Sequence, residues 1–257
     1  MTTIVKDPEV VIDLETLDVV GSRKRFPIIL SIGAVRFNPS VVNTPEEIMH
    51  IAAGLQRENE KVDEDKAREA FLSGEEFITP IMFYSPVSLM QSMASGMTYS
   101  NETIEYWERQ SYNMVAIAAA HRETLPETLV KFATWLKSIK AKRIWANAPT
   151  FDISILRETF DHFGLDIEIN FRSERDVRGA MDFTGVAWPE IPSYFVKHNA
   201  LCDAIMEAVA IQRVYEQRRV WNQAVHDVAR LTMLSIEQQE KITHLETLIV
   251  SQNGSIA

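Results

Sequence analysis

Apolar residues follow two patterns along this chain: short continuous blocks towards the amino-terminal end, and helical periodicity from residue 100 onwards. The blocks "EVVIDLE" (9–15) and "PIILSIGAVRFNP" (27–39) are rich in β-branched and aromatic residues, and a loop with Gly21, Arg23, Lys24 and Arg25 separates them. Blocks of this kind, punctuated by Gly and Pro, predict two adjacent strands. "ITPIMFYSPV" (78–87), "RIWAN" (143–147) and the alternating "LDIEINF" (165–171) predict three more. Between the second and third strands, residues 44–76 turn charged, with a dense acidic middle, and predict an exposed helical insertion with a solvated face.

Helices are predicted where the period lengthens. "SNETIEYWERQS" (100–111) offers Ser100 or Asn101 as an N-cap. In "LPETLVKFATWLKSI" (125–139), Leu129, Phe132, Ala133, Leu136 and Ile139 recur at helical spacing, the mark of an amphipathic helix. Ala148-Pro149 leads into a helix over 150–164 that stops at Gly164, and 175–183 predicts a short one. From Asn199 nothing breaks a helix until Asn253-Gly254. Within that run Trp221, Ala224, Val228, Leu231, Ile242, Leu245 and Ile249 form a heptad-like seam, interrupted by Ser235 and Gln238. The seam predicts pairing of residues 216–250 with another copy or a partner protein, or folding back on the chain's own domain.

This order of elements predicts an α/β architecture, a mixed sheet covered by helices. With 257 residues, 46% hydrophobic and 24% charged, the chain suits one globular core over residues 1–215, with 216–257 as a helical extension. "MTTIVKDPEV" lacks the basic and apolar regions of a secretory signal, and no apolar run approaches the roughly 20 residues of a membrane span. A soluble, cytoplasmic protein is therefore the expectation. The single Cys202 excludes an internal disulfide and a multi-cysteine zinc site. A net charge of −10 argues against a broad phosphate-binding surface for duplex nucleic acid, but not against a local grip on a strand end.

Charge becomes informative where it interrupts the apolar pattern. Asp13 and Glu15 lie one residue apart in the first strand, so both side chains leave the same face. Two such carboxylates repel unless a cation lies between them or water solvates both. Asp152 begins a helix just after a strand, where it can cap the helix or project into a cleft. His198 precedes Asp203 by five residues: on a helix starting near Asn199, Asp203 faces inward and His198 sits on the entering loop. Each group alone has an ordinary structural reading; together they suggest a metal-dependent site.

Four stretches carry a resemblance. "IDLET", "SIGAVRF", "FDISIL" and "HNALCDA" resemble the motifs of the DnaQ-like, DEDDh class of 3′–5′ exonucleases, within the ribonuclease H-like fold. "NETIEYWERQS" and "IWANAPTFD" resemble the "TxxWWxxQ" and "WGNGxxFD" elements of a subgroup that includes phage exonuclease A-like and mycobacterial exoribonuclease-like proteins. The resemblance spans residues 7–215; Ala146 and Tyr106 depart from the subgroup's Gly and first Trp, and neither departure removes a catalytic group.

The resemblance implies a ribonuclease H-like mixed five-stranded sheet flanked by helices, with the long C-terminal helix outside it. It further implies catalysis by Asp13, Glu15, Asp152, His198 and Asp203, with two divalent cations, Mg²⁺ or Mn²⁺, as hard oxygen-preferring cofactors. Asp13 would bridge both ions, Glu15 and Asp203 would hold the one that positions water, and Asp152 would act largely through water on the other. His198 would be the general base, and nucleoside 5′-monophosphates the products. The implied partner is the 3′ end of single-stranded DNA or RNA, the choice resting on contacts to the 2′-hydroxyl.

Substrate contacts are open to two readings each. Leu17 packs on a base or sugar, or inside the protein; Phe151 stacks on a base, or packs in the core. Arg175 and Arg178, with Arg172, hold backbone phosphate or are solvated, as are Arg23, Lys24 and Arg25. Trp107, Trp145 and Cys202 are expected in the core. The competing function is a catalytically silent nucleic-acid-binding or assembly module on the same fold, which a missing carboxylate or histidine would favour; none is missing.

Overall fold

A computed structural model describes residues 7–18, 26–52, 64–110 and 112–253. Strand β1 (Glu9–Thr16) pairs antiparallel with β2 (Ile29–Phe37), which pairs antiparallel with β4 (Met82–Pro86); the short β3 (Phe77–Ile78) closes that edge. On the other side β5 (Arg143–Ala146) runs parallel to β1, and β6 (Glu174–Asp176) parallel to β5. The order is β3-β4-β2-β1-β5-β6, a mixed sheet with β1 in an interior position.

The helices are α1 (Pro45–Ala52), α2 (Glu64–Ser73), α3 (Leu89–Ala94), α4 (Asn101–Glu108), α5 (Met114–Ala120), α6 (Leu125–Ile139), α7 (Asp152–His162), α8 (Val177–Thr184) and α9 (Ala200–Asn253). Packing joins α5 to β2, α6 to β4 and α7 to β1. Among the described residues no helix is long and apolar enough to cross a membrane.

The α/β class and the flanking helices follow the expected pattern, with three local differences. The sheet has six strands rather than five. Residues 165–171 do not form a strand: the N–H of Ile169 turns back to the carbonyl of Ile167 (2.9 Å), and a 3-10 turn occupies Phe171–Ser173. The edge strand is instead the polar triplet Glu174–Asp176, too short to carry a period. Nor is the 44–76 segment wholly exposed, because Ile48 and Phe71 at its two ends are buried. Its acidic middle, 53–63, lies outside the described residues.

Local chemistry explains the firmest elements. Helix α6 opens with a capping box, in which Thr124 Oγ1 accepts from the Glu127 N–H and Glu127 Oε2 from the Thr124 N–H, so two orphan donors are satisfied. Asn199 opens α9: its Oδ1 accepts from the N–H groups of Leu201 and Cys202, while its Nδ2 donates to the Phe71 carbonyl and to Tyr112 Oη. That side chain is fully buried, so the start of α9 is fixed from inside the protein.

The chain divides into two compact units, residues 1–215 and 216–257. In the first, Ala200 to Tyr215 of α9 are almost wholly buried and lie on the sheet face that carries Glu9, Val11, Asp13 and Glu15. Gly33, paired with Asp13 across the ladder, makes this approach possible. A Cβ there would meet the Ala200 carbonyl carbon at 2.2 Å and the Leu201 nitrogen at 2.5 Å.

At the other end of β1, Glu9 is fully buried and accepts hydrogen bonds from Arg143 Nη1 (2.6 Å), Trp145 Nε1 (2.6 Å) and Tyr215 Oη (2.9 Å). Burial and the Glu9 carboxylate push the Tyr215 hydroxyl well above its usual range, so it stays a donor. In the second unit, α9 continues with exposed side chains, among them Val225, Val228, Leu231, Ile242 and Leu245.

The contact at Gly33 is backbone on backbone and cannot be relieved by a rotamer change. Gly33→Ala is expected to cost about 1–3 kcal/mol, or roughly 2–4 °C of Tm per kcal/mol. Thermal unfolding followed by circular dichroism checks this; a Tm equal to that of the unaltered protein would refute the close approach.

Candidate active site

Asp13 and Glu15 stand half-buried at the carboxyl end of β1, on the face covered by α9. The strand cannot yield locally, because Leu14 between them is in the core and its N–H donates to Asp152 Oδ1 (3.2 Å). Asp152 is the first residue of α7 and is buried. Its carboxylate thus fastens α7 to β1 at the point between the other two acids, and Phe151, not Asp152, occupies the N-cap.

The fourth carboxylate comes from α9. Asp203 lies one turn beyond the Asn199 cap, and its side chain accepts the backbone N–H of His198. His198 itself takes a left-handed φ of 62°, uncommon for a residue with a side chain. Asp203 therefore helps to hold the strained backbone that presents the imidazole. Glu15, His198 and Asp203 each offer a ligand atom, all within 4.8 Å of one another.

These groups converge on one cavity of 350 Å³, lined by Asp13, Glu15, His198 and Asp203 together with Asn147, Trp188, Lys197 and Glu207. Asp152 is joined to β1 through Leu14 and is close enough to repel Asp13 and Glu15. The five residues singled out from the sequence are thus brought together from three separated segments of the chain.

One acidic residue escaped the sequence reading. Glu207 sits four residues after Asp203 on α9, buried and facing the same cavity, and its Oε2 has no hydrogen-bond partner among the described residues. The signal was available, since an i, i+4 pair shares a helix face. Asn147 was also passed over as a site residue, although it lies inside a quoted motif; its Oδ1 is likewise buried and unpartnered.

Burial sets the electrostatics. It raises the Asp13 carboxyl well above its ordinary range, and Glu15, Glu207, Asp152 and Asp203 add repulsion. Burial does the same to Glu15, with Asp203 the next contributor, and to Glu207, with Asp152 the next. Asp152 is pushed up to about 7 by burial, against the lowering effect of the backbone N–H groups around it, and Asp203 to about 6.

Positive charge is sparse: Arg178 acts on Glu207, and Lys197 on Asp203. Asp13 Oδ2 joins Glu207 Oε2 as a buried oxygen without a partner among the described residues. A carboxylate-rich donor set with one imidazole, short of counter-charge, fits hard divalent cations.

His198 is shifted the other way. Burial and then Lys197 hold its pKa below the ordinary value, which keeps the ring neutral near pH 7. Its Nε2 lies 2.6 Å from Tyr106 Oη.

The expected substrate contacts divide. Leu17 is only 2% exposed and belongs to the core, so it is not placed to pack on a base or sugar; its backbone is fixed by Ile28 and Ser100. Phe151 lines a second groove with Leu14, Glu15, Thr103 and Tyr106. Arg178 lines a recess that shares Asn147 and Trp188 with the acidic cavity. Arg175 directs its Nη1 onto the carbonyls of Arg172 and Glu174 and is absent from the lining of the acidic cavity. Arg172 is exposed beside the Phe171 ring, and Arg23, Lys24 and Arg25 lie outside the described residues. Trp107, Trp145 and Cys202 are all buried, the thiol pushed up by its burial.

No curated protein sequence matches this chain. Among solved structures it is similar to the nuclease domain of 3′hExo, a DEDDh family member, bound to rAMP. Identity is 14%, over 82% of this chain and 92% of that one, with a TM-score of 0.44. It is also similar to cell-death related nuclease 4 (CRN-4), at 11% identity over 82% of this chain and 64% of that one, with a TM-score of 0.39. A family profile, that of the 3′–5′ exoribonuclease Rv2179c-like domain, matches residues 71–215. The match takes in Asp152, His198 and Asp203 and begins after β1. Because it covers more than half of the 257 residues, the chain belongs to the Rv2179c-like 3′–5′ exoribonuclease domain family.

Proposed function

We propose that this chain removes nucleotides one at a time from the 3′ end of single-stranded RNA, releasing nucleoside 5′-monophosphates. Its family makes it a 3′–5′ exonuclease, a hydrolase; the polymer, the ions and the role of each residue are the proposal. The observation that carries it is the meeting of Glu15, His198 and Asp203 beside Asp13 in one cavity. RNA is preferred to DNA because the family's description names an exoribonuclease.

Phosphodiester hydrolysis needs a deprotonated water in line with the leaving 3′ oxygen, and a means to offset charge growing on the phosphoryl oxygens. Two Mg²⁺ or Mn²⁺ ions, when bound, supply both the acidified water and the neutralising charge. Asp13, Glu15, Asp152 and Asp203 would hold them, with Asp13 Oδ2 available as a free ligand atom. His198, neutral and facing the same cavity, takes the water's proton. Phe151 offers a face to the terminal base, and Arg178 a cation to the strand that leads away. With a net charge of −10, a grip confined to the strand's end suits this protein better than a phosphate-tracking surface.

For the α9 extension, the exposed positions Val228, Leu231, Ile242 and Leu245 favour a second copy as partner. A lone helix with an apolar stripe in water gains little from its own hydrogen bonds, and pairing the stripes supplies the missing burial.

Matched single-stranded RNA, single-stranded DNA and recessed duplexes, digested side by side in Mg²⁺, Mn²⁺ and EDTA, test the activity. His198→Ala is expected to lose about 10²–10⁴-fold in rate. Asp13→Ala should abolish mononucleotide release while the protein stays folded; undiminished release by that variant sinks the proposal, and preference for DNA corrects the polymer.

A second measurement needs no substrate. Folding raises the pKa of Asp152 to about 7 and of Asp203 to about 6, from an ordinary value near 4. The unfolded chain therefore releases those protons first, and stability of the metal-free protein should fall as pH rises from about 4 to 7. Added Mg²⁺ should raise Tm more at pH 8 than at pH 5. A gain independent of pH would show that the ions bind elsewhere.

Pairing through α9 is tested in the full chain by Leu231→Glu with Ile242→Glu. Light scattering should then give the monomer mass in place of the dimer mass; a monomer before the substitutions would refute the pairing.

A further inference from the structure

The geometry points to Tyr106 as a latch on His198, capping the imidazole in the strand-free protein and giving it up when a 3′ terminus takes its place. The idea rests on the reading of His198 as the general base and adds to it a positioning residue outside the carboxylate set.

Tyr106 is held from several sides. The next residue, Trp107, is buried and donates its Nε1–H to the carbonyl of Thr16, the residue after Glu15 (3.1 Å). The cap of α4, Ser100, accepts the Thr103 N–H with its side chain and donates its own N–H to the Leu17 carbonyl (2.9 Å). Helix α4 is therefore fastened to the end of β1, and Tyr106 cannot drift from the carboxylates that β1 carries. His198 is equally constrained, by its left-handed backbone and by the hydrogen bond from its backbone N–H to Asp203. Between these two fixed groups Tyr106 Oη and His198 Nε2 meet at 2.6 Å, with the rings edge to face at 5.4 Å.

That contact occupies Nε2 whichever tautomer is present. A neutral imidazole has one in-plane lone pair, on the nitrogen that carries no proton. If the phenol donates, Nε2 accepts with that lone pair; if Nε2–H donates to the phenol oxygen, the lone pair is on Nδ1. In neither state can Nε2 take a proton from water. Donation by the phenol is the assignment that satisfies both groups, since no other acceptor is recorded for the Tyr106 hydroxyl among the described residues.

Release follows from where Tyr106 stands. It lines the groove of 380 Å³ formed with Leu14, Glu15, Thr16, Thr103 and Phe151, which meets the acidic cavity at Glu15. A terminal nucleoside seated there lies against Tyr106, and its sugar hydroxyls are acceptors able to replace Nε2. Seating the strand end and freeing the base are then one event.

Tyr106→Phe deletes the hydroxyl and keeps the ring. In metal-free protein, carbethoxylation of His198 by diethyl pyrocarbonate, read by peptide mass mapping, should proceed about two- to tenfold faster in the variant, the worth of one neutral hydrogen bond. The exposed His226 and His244 serve as internal references. With a short single strand in Mg²⁺, kcat/KM should rise by the same factor, the gain falling on KM. Equal labelling rates in the two proteins overturn the latch whether or not the chain is a nuclease. A tenfold or greater loss of kcat also overturns it, because Tyr106 would then serve the reacting complex. If the unaltered protein degrades no nucleic acid while the labelling difference holds, the proposed reaction fails and the capping stands.

Discussion

Carboxylates confined in a desolvated pocket repel one another, and the rest of the first unit is arranged to withstand that repulsion. Asp13, Glu15, Asp203 and Glu207 line a single cavity, and Asp152 is close enough to repel Asp13 and Glu15. Moving such groups out of water costs several kcal/mol each unless something compensates. The groups that resist are backbone anchors more than counter-charges: Leu14 N–H on Asp152, Asn199 on the first turn of α9, and Trp107 on Thr16. Each is a side chain–backbone hydrogen bond that fixes an element at or beside a site residue. The repulsion is thus borne by the fold, and a cation held among these groups would relieve it.

The Glu9 cluster is the counterpart at the far end of β1. There a carboxylate is fully buried as well, yet Arg143, Trp145 and Tyr215 satisfy it from three directions. One strand therefore carries a fully partnered acid, Glu9, and on the same face two acids, Asp13 and Glu15, that line the cavity. Position along the strand, not residue type, separates the buried structural carboxylate from those at the candidate site.

Much of this was legible because strand and helix periods are strict. The spacing of Asp13 and Glu15 placed both on one face, and "HNALCDA" announced a helix start with His198 ahead of it and Asp203 within it. Helix α6 lies where its periodicity put it. What stayed hidden depends on tertiary contact. Strands β3 and β6 have two and three residues, too few to show alternation, whereas 165–171 alternates but turns back at Ile169. Leu17 was open to either reading, because whether a leucine is inside or outside is decided by what packs over it. Tyr106 and His198 are 92 residues apart, so no spacing rule could pair them.

The close approach at Gly33 has a consequence for how the site ages. Side-chain packing can loosen or tighten as a core accumulates substitutions, and distances that depend on it drift accordingly. Where β2 meets α9, however, main chain rests on main chain, Gly33 against Ala200. The gap between the acids of β1 and those of α9 is gauged by the thickness of two peptide backbones, a dimension that no replacement of surrounding residues alters. The core is free to diverge widely while the spacing between those two sets of acids is kept.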